Sequence, residues 1–381
     1  MEPFLYKSIE DLKQSITNKE YIPLTHQYHT ALHNHKKIYN RYTLYNVNRG
    51  IITAAGGNDL LLQSFVSINI LRHHGCNLPI ELYYADNEEM TDSFVKRMET
   101  LNVSCINVQD HSLFKNYNAR NFSIKSIALF LSSFDETIWM DVDIIPFTNM
   151  ESLFDHPYYK KNHYMFFPDI FTYGKYQNAY TEKTNKLMKL FGFSYVEYEH
   201  ETDAGLFVIH KSKIPTDFIV TNLLFNINHN ITYQYAYGDK ELYNLCMKLC
   251  GIPYSTNDIN VGIIGKYFEH NKLFCGNAVL FKKNDLDHED SVYCAHMTLH
   301  NISHIPKYNN VWTKSIWTHY VTKPVDITLT VVQPINQELL IKNKYEKKFV
   351  TQLSKKIKDI HTEMYLLYKE FVATIMMIET K

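Results

Sequence analysis

The stretch Thr137-Ile-Trp-Met-Asp-Val-Asp-Ile-Ile-Pro-Phe147 decides how the rest of the chain is interpreted. Its β-branched and aromatic residues predict a buried strand, and Asp141 and Asp143 are expected to meet water where that strand ends. Carboxylate oxygens suit Mg²⁺ and Mn²⁺, which need few protein ligands when a substrate phosphate supplies others. The alternative is a turn with two solvated acids. The apolar flanks favour a metal site, because buried charges need a partner.

The composition is that of a globular protein without a strong charge bias. The chain has 381 residues, 45% of them hydrophobic, which is enough for one large domain or two smaller ones. Thirty-nine basic and 40 acidic residues give a formal charge of -1, which excludes a global attraction to nucleic acid or to an anionic membrane. No signal peptide and no membrane-spanning run is visible. We therefore expect a cytoplasmic protein without a membrane span.

Strands and helices alternate before the acidic stretch. A strand followed by paired glycines is predicted for residues 50–57, and an amphipathic helix for about 58–73. Further strands begin at about residues 78 and 103, and helices follow at about 87–101 and 122–134. This alternation predicts an α/β fold with a parallel, doubly wound sheet.

Four residues are expected at one edge of that sheet. Ligands of such sheets bind beyond the carboxyl ends of the strands, where Gly56, Gly57, Asp141 and Asp143 would all lie. Glycines let the backbone approach a ligand closely, and the free amides at the start of the next helix favour a phosphate or the polar edge of a nucleotide. A simple tight turn explains the paired glycines equally well.

Three more acids stand near the ends of predicted elements. Glu201 and Asp203 introduce an apolar strand at residues 204–211, where that strand enters the cleft. Asp239 lies in the first turn of a helix that reaches about Cys250. Helix capping alone would explain Asp239, since an acid is favoured there by the free amides and by the helix dipole.

Two features of the second half complete the pattern. His296 and His300 follow a run of short strands; such histidines are commonly surface residues, but an imidazole nitrogen would complete a manganese site. Residues from about 337 to 381 carry apolar side chains at helical spacing, which predicts one or two amphipathic helices. These helices would pack on the main domain or mediate self-association into a homo-oligomer.

The ordered motifs resemble the metal-dependent α-mannosyltransferases of the fungal Golgi, which have the GT-A fold. The matching elements span roughly residues 49–300, namely Arg49-Gly-Ile-Ile52 with Gly56-Gly57, Leu71-Arg72 with Gly75-Cys-Asn-Leu-Pro-Ile-Glu81, Lys125, Ser133-Phe134, Met140-Asp-Val-Asp143, Leu153-Phe154, Phe167-Pro-Asp169, Ala204-Gly205 with Lys211, and Gly238-Asp-Lys-Glu241. The resemblance implies a GT-A, Rossmann-like mixed sheet flanked by helices. From the patterns along the chain we expect a lead-in at 1–47, a catalytic domain at 48–325 and a helical extension at 326–381.

The resemblance also implies a reaction and the residues that carry it out. Mannose would move from GDP-mannose to a glycan or protein-linked acceptor with retention of the α configuration, assisted by Mn²⁺ or Mg²⁺. The implied roles are metal binding by Asp141, Asp143 and His296 (or His300), lining of the nucleotide cleft by Gly56 and Gly57, contact with the donor's phosphates or sugar by Lys125, and contact with the donor sugar or the acceptor hydroxyl by Asp203, Glu201 and Asp239. Two departures are the missing membrane anchor and Ala204 in place of a common Ser.

Three other functions fit parts of the sequence. A phosphohydrolase of the haloacid-dehalogenase type also places Asp-x-Asp at a strand end, but normally on the first strand of its domain. A non-catalytic module would bind a nucleotide sugar without turnover. A transferase of the same fold would use UDP-glucose or UDP-galactose, since no residue in the pattern fixes the base or the sugar.

Overall fold

The structure is a computed structural model. It describes residues 4–42, 49–85, 90–118, 122–172, 179–194, 200–236, 238–253, 259–283, 292–297, 317–321, 331–332, 340–344, 347, 350–353 and 355–373. The helices are α1 (Ile9–Asn18), α2 (Ile22–Tyr42), α3 (Asn58–His73), α4 (Asp92–Glu99), α5 (Ser123–Leu131), α6 (Pro157–Asn162), α7 (Ala179–Leu190), α8 (Thr216–Ile227), α9 (His229–Thr232), α10 (Lys240–Leu249) and α11 (Lys355–Phe371). The strands are β1 (Arg49–Ala54), β2 (Ile80–Tyr84), β3 (Val103–Asn107), β4 (Glu136–Met140), β5 (Ile144–Pro146), β6 (Tyr164–Thr172), β7 (His200–His210), β8 (Ile259–Phe268), β9 (Leu273–Lys283), β10 (Val292–His296), β11 (His319–Val321), β12 (Val331–Val332), β13 (Leu340–Lys344) and β14 (Thr351–Gln352).

The first sheet has the strand order β3-β2-β1-β4-β7-β6. Strands β3, β2, β1 and β4 are parallel, whereas β7 runs antiparallel to both β4 and β6. Neighbouring residues of β1 and β4 enter different apolar cores: Ile51 belongs to one and Ile52 to the other. Since successive side chains of a strand point to opposite faces, apolar cores cover both faces of this sheet. The predicted fold class, a GT-A, Rossmann-like mixed sheet flanked by helices, is confirmed.

The acidic stretch joins two sheets. Strand β4 ends at Met140 and β5 begins at Ile144, so Asp141 and Asp143 lie in the turn between them. Strand β5 leaves the first sheet and pairs antiparallel with β10 in the second sheet. As predicted, the two acids follow the end of a buried strand; the turn that contains them then redirects the chain to a new partner in the second sheet.

The second sheet is antiparallel wherever pairing is described. Its main path runs β12-β13-β9-β8-β11-β14, and β10 joins β9 to β5 at the side of this path. The short strands predicted around residues 272–274 and 278–282 are one continuous strand, β9, and β10 has the predicted bounds. This sheet covers the face of the first sheet that also carries α3, because residues of both sheets share one apolar core.

Described helices and strands near each end of the sequence pack on the central domain. Helices α1 and α2 bury Leu12 and Tyr28 in the core that α5 and α8 also line. At the other end, residues 340–344 form β13 rather than the predicted helix, and β13 pairs with β9. Helix α11 packs on α3. Within the described ranges, every helix is too short or too polar to cross a bilayer.

Candidate metal and donor site

Asp141 sits at the carboxyl end of the parallel strands, as the sequence predicts. Its backbone amide donates to the carbonyl of Gly205 on β7 at 2.8 Å, and its own carbonyl accepts from the Ile144 amide at 3.0 Å. These two bonds fix the turn after β4. Trp139 lies two residues earlier, on the same face of the strand, and its Nε1 donates to Asp141 Oδ1 at 2.7 Å. One carboxylate oxygen is thus oriented by a side chain of its own strand.

Asp143 and His296 are brought together by the pairing of β5 with β10. His296 lies opposite Ile144 in that ladder, and the Met297 amide donates to the carbonyl of Asp143 at 3.0 Å. His296 Nε2 is 3.3 Å from Asp143 Oδ1. The third residue of the predicted metal site therefore arrives from the second sheet.

Asp141, Asp143 and His296 fit a divalent cation. Each offers one ligand atom, and these three atoms lie within 4.8 Å of one another. Asp143 Oδ1 is buried and makes no hydrogen bond with a described residue, although it lies close to the imidazole. Two carboxylate oxygens and one imidazole nitrogen form a donor set that Mn²⁺ accepts and that leaves further positions open for oxygen ligands.

Lys125 joins Asp141 to Asp239 beneath this site. Its Nζ donates to Asp141 Oδ2 at 3.0 Å and to the carbonyl of Ala204 at 2.8 Å, and it forms an ion pair with Asp239 Oδ2 at 3.1 Å. The side chain is only 6% exposed, and these three oxygens match the three N–H bonds of the ammonium group. In the structure Lys125 thus contacts two carboxylates and a backbone carbonyl, and its expected contact with the donor's phosphates or sugar stays a prediction.

Asp239 occupies the residue before α10 but does not cap the helix with its side chain. Its carboxylate instead reaches Lys125 on α5. The capping alternative is therefore wrong for this side chain.

Gly238, one residue earlier, leaves room for Phe122, because a Cβ atom at position 238 would lie 2.9 Å from that ring.

The local charges perturb two pKa values at the centre. Burial raises the pKa of Asp141; Lys125 lowers it and the Asp143 carboxylate raises it, with a net result of about 6. Burial lowers the pKa of His296, but Asp203 and Asp143 outweigh this effect and raise it well above the ordinary value. Asp141, Asp143, Asp203 and Asp239 thus surround one lysine and one histidine. This excess of negative charge favours a bound cation.

Asp203 lies behind His296, away from the Asp143 side of the ring. Its Oδ1 accepts from the Gly205 amide at 2.6 Å, and its Oδ2 is 2.9 Å from His296 Nδ1. A Cβ atom at Gly205 would stand 2.5 Å from Cε1 of the same imidazole. Neither the carboxylate–imidazole contact nor the need for glycine beside the ring is visible in the sequence, because β7 and β10 are remote along the chain.

The remaining predicted residues are placed less completely. Gly56 and Gly57 follow β1, the strand beside β4, and Gly57 precedes α3 with a φ of 81°, so both lie near the expected edge. A Cβ atom at Gly56 would meet open space. Glu201 lies in β7, but its side chain is outside the described residues, as is the whole of His300.

Comparisons with known proteins agree with the predicted family. The sequence profile of a mannosyltransferase family, Mannosyl_trans3, matches residues 48–300. The α-1,2-mannosyltransferase MNN24 of Candida albicans is 29% identical over 208 residues, which cover 51% of this chain and 29% of that protein. The α-1,3-mannosyltransferase MNT3 of Saccharomyces cerevisiae is 21% identical over 351 residues, which cover 80% of this chain and 53% of that protein. The chain thus spans about half or less of the length of these curated relatives.

Solved structures of glycosyltransferases are also similar to parts of the chain. The mannosyltransferase Ktr4p of Saccharomyces cerevisiae in complex with GDP shares 10% of its residues, with a TM-score of 0.36, over 63% of this chain and 82% of that one. A glucosyl-3-phosphoglycerate synthase of Mycobacterium tuberculosis in complex with Mn²⁺ and UDP shares 10%, with a TM-score of 0.31, over 59% of this chain and 85% of that one.

Proposed function

Because the chain belongs to the mannosyltransferase family Mannosyl_trans3, we propose that it transfers mannose from GDP-mannose to a hydroxyl group of a glycan or protein-linked acceptor. The transfer retains the α configuration and requires a divalent cation, Mn²⁺ or Mg²⁺. The observation that carries this proposal is the convergence of Asp141, Asp143 and His296 at the carboxyl edge of the parallel strands. Nucleotides bind at that edge in doubly wound sheets.

The chemistry of the leaving group explains why the site would need a cation. When the bond between mannose and the diphosphate breaks, negative charge develops on the departing GDP, and a bound divalent cation supplies the neutralising charge. The chain's own residues set the position of the ligands. Lys125 and Trp139 hold the two oxygens of Asp141, and the β5–β10 pairing sets Asp143 against His296.

A carboxylate near the anomeric carbon would stabilise the positive charge that the sugar develops. Asp239 is the candidate whose side chain the structure describes. Its ion pair with Lys125 places it close to Asp141, because Lys125 also pairs with Asp141. Glu201 is the second candidate from the sequence. Gly56 and Gly57 would leave the backbone beside the nucleotide accessible, because neither carries a side chain.

A donor assay tests the proposal. The purified chain would be incubated with GDP-mannose, UDP-glucose or UDP-galactose, with Mn²⁺ or with excess EDTA, and with an α-mannoside acceptor. We expect GDP release and mannosyl transfer only with GDP-mannose and the metal, and an α anomer in the product by NMR. Turnover that survives exhaustive EDTA would refute the metal requirement. Release of UDP would show that the donor is a UDP-sugar and not GDP-mannose. Binding of GDP-mannose without release of GDP would support a non-catalytic module.

Two sequence-based expectations accompany this proposal. We propose that the chain acts in the cytoplasm, which imaging of a tagged full-length chain would test. Self-association through the C-terminal segment would appear as a mass above that of one chain in light scattering.

A further inference from the structure

Both carboxylate oxygens of Asp203, which lies beside the candidate metal site, have hydrogen-bonding partners in the protein. Its residue is 3% exposed. One oxygen accepts from the Gly205 amide, and the other faces Nδ1 of His296. The resemblance implies that Asp203 contacts the donor sugar or the acceptor, but in the structure both of its oxygens already have partners within the protein.

We infer that Asp203 is a positioning residue, which keeps the proton of His296 on Nδ1 so that Nε2 presents a lone pair to the divalent cation. This inference rests on the metal site of the proposed function. Its geometric basis is the line of three groups in which Asp203 Oδ2 is 2.9 Å from Nδ1 and Asp143 Oδ1 is 3.3 Å from Nε2. A metal-binding histidine commonly donates its other N–H to a carboxylate, which fixes the ring and its tautomer.

The hydrogen-bond pattern requires an acid at position 203. Oδ1 must accept from the backbone N–H of Gly205, and Oδ2 must accept from Nδ1–H of His296. Only a group with two acceptor oxygens meets both donors. Asparagine has nearly the same shape but a single acceptor oxygen. If that oxygen kept the bond to Gly205, its amide N–H would point at Nδ1 and move the imidazole proton to Nε2, where it would compete with the metal.

Gly205 restricts the position of the His296 ring by direct packing. A Cβ atom there would overlap Cε1 of the imidazole at 2.5 Å, so the ring fills the space that glycine leaves. Asp203 and Gly205, two residues apart in β7, therefore constrain both the protonation and the location of one ligand.

The test is the Mn²⁺ affinity of Asp203→Asn, measured without any nucleotide sugar. Electron paramagnetic resonance of free Mn²⁺ gives the dissociation constant directly. We expect binding weaker by about 10–100-fold, the range seen when such partners of metal-binding histidines are removed. Thermal unfolding of the metal-free variant would occur at a lower temperature than that of the parent, because buried His296 loses the charge of Asp203. The added stabilisation by Mn²⁺, measured relative to each metal-free protein, would shrink in the variant.

Glu136→Gln is the matched control. Glu136 is also a carboxylate of the first sheet, and it pairs with Arg49. It lies at the start of β4, whereas the metal ligand Asp141 follows the end of that strand. This control should bind Mn²⁺ like the parent. Unchanged affinity in Asp203→Asn would overturn the inference. The two proposals can fail separately. If the parent chain transfers no mannose, the proposed function is refuted. If Asp203→Asn nevertheless binds Mn²⁺ more weakly than the parent does, the positioning role is supported.

A measurement on the parent chain decides the matter if Asp203→Asn fails to fold. ¹⁵N-histidine NMR of the protein loaded with Zn²⁺, a diamagnetic cation that binds imidazole, would locate the proton of His296. A proton on Nδ1 and none on Nε2 is expected. A proton on Nε2 in the loaded protein would overturn the inference, whatever the activity.

Discussion

Gly205 and His296 are in such close contact that position 205 accommodates no side chain: a Cβ atom there would lie 2.5 Å from Cε1 of the ring. The contact joins the middle of β7 to the end of β10, and thus the first sheet to the second. Since the ring is itself buried, it has little space into which to move.

Gly205→Ala should therefore displace His296. We expect a loss of about 1–3 kcal/mol in the free energy of unfolding, as is usual when a packed site is overfilled, together with weaker Mn²⁺ binding. Urea denaturation and metal titration measure the two effects. Gly56→Ala is the control for stability, because a Cβ atom at Gly56 meets nothing within 4 Å. Equal stability of the two variants would contradict the predicted clash.

Asp143→Ala should remove activity without unfolding the chain. Asp143 Oδ1 is buried without a hydrogen-bond partner among the described residues, and the carboxylate raises the pKa of Asp141. Its removal relieves repulsion with Asp141 but also takes a negative charge away from His296, so we expect the two effects to oppose each other and the metal-free protein to stay folded. Metal-dependent GDP release should fall by a factor on the order of 10³, as when a group that stabilises transition-state charge is lost. Full activity in this variant would exclude Asp143 as a metal ligand.

Lys125→Met should destabilise the metal-free chain strongly. The substitution leaves Asp141 and Asp239 without their shared ammonium group in a buried setting. Breaking a buried ion pair on one side costs about 3–5 kcal/mol, measurable by urea denaturation. Lys160→Met is the control, because Lys160 pairs with Asp155 at 2.8 Å on the exposed surface, where solvent screens the pair and its loss should change stability little. Similar losses in both variants would argue against the buried role.

Metal binding should strengthen as pH rises through about 6. The pKa of Asp141 is raised to about 6, so the protonated form is favoured in the metal-free fold. This contribution to stability is fully present below the unfolded-state pKa of about 3.9 and is lost as pH rises through about 6. The metal needs the ionised carboxylate, and the raised pKa of His296 acts in the same direction.

The expected size of the pH effect follows from the fraction of Asp141 that is ionised. About one pH unit below its pKa, roughly a tenth of the groups carry the charge, so this carboxylate alone should make Mn²⁺ bind about tenfold more weakly at about pH 5 than at about pH 7. Protonation of His296 adds to this effect, because its pKa is raised. Dissociation constants measured by paramagnetic resonance at both values check this. An affinity that does not change over this range would show that Asp141 is already ionised at the lower pH.

Phe371→Ala should show that α11 belongs to the folded core. Phe371 is 2% exposed, and its ring lies 5.5 Å from that of Phe65 on α3. Truncation of a buried phenylalanine costs about 3–5 kcal/mol, which urea denaturation would reveal. Leu366→Ala is the control, since Leu366 is 59% exposed on the same helix and its truncation should change stability by less than about 0.5 kcal/mol. A neutral Phe371→Ala would mean that α11 is dispensable.

The first sheet was predictable because its signals are local. Apolar strands, paired glycines and an amphipathic helix follow one another, and α3 has the predicted bounds, Asn58–His73. The second sheet was predictable only in part. Strand β8 contains Gly262 and Gly265, which weaken the strand signal, and the place where β5 leaves for β10 depends on a partner far along the chain.

The candidate site divides in the same way. Asp141 and Asp143 could be found from the sequence alone, because two acids inside an apolar run are unusual. His296 needed the family resemblance, since a single histidine among 19 carries no signal of its own. The relation of Asp203 to His296 could not be predicted, because it depends on strands β7 and β10 meeting at one edge.

The pairing of β5 with β10 also determines when the candidate metal site can assemble during synthesis of the chain. All strands of the first sheet precede β10 in the chain, so a nascent polypeptide can bury much of that sheet while His296 is still inside the ribosome. A chain stopped short of residue 292 would retain those strands and both aspartates but lack the imidazole. The full set of ligands proposed for the cation therefore forms only after synthesis has passed the second sheet's central strands.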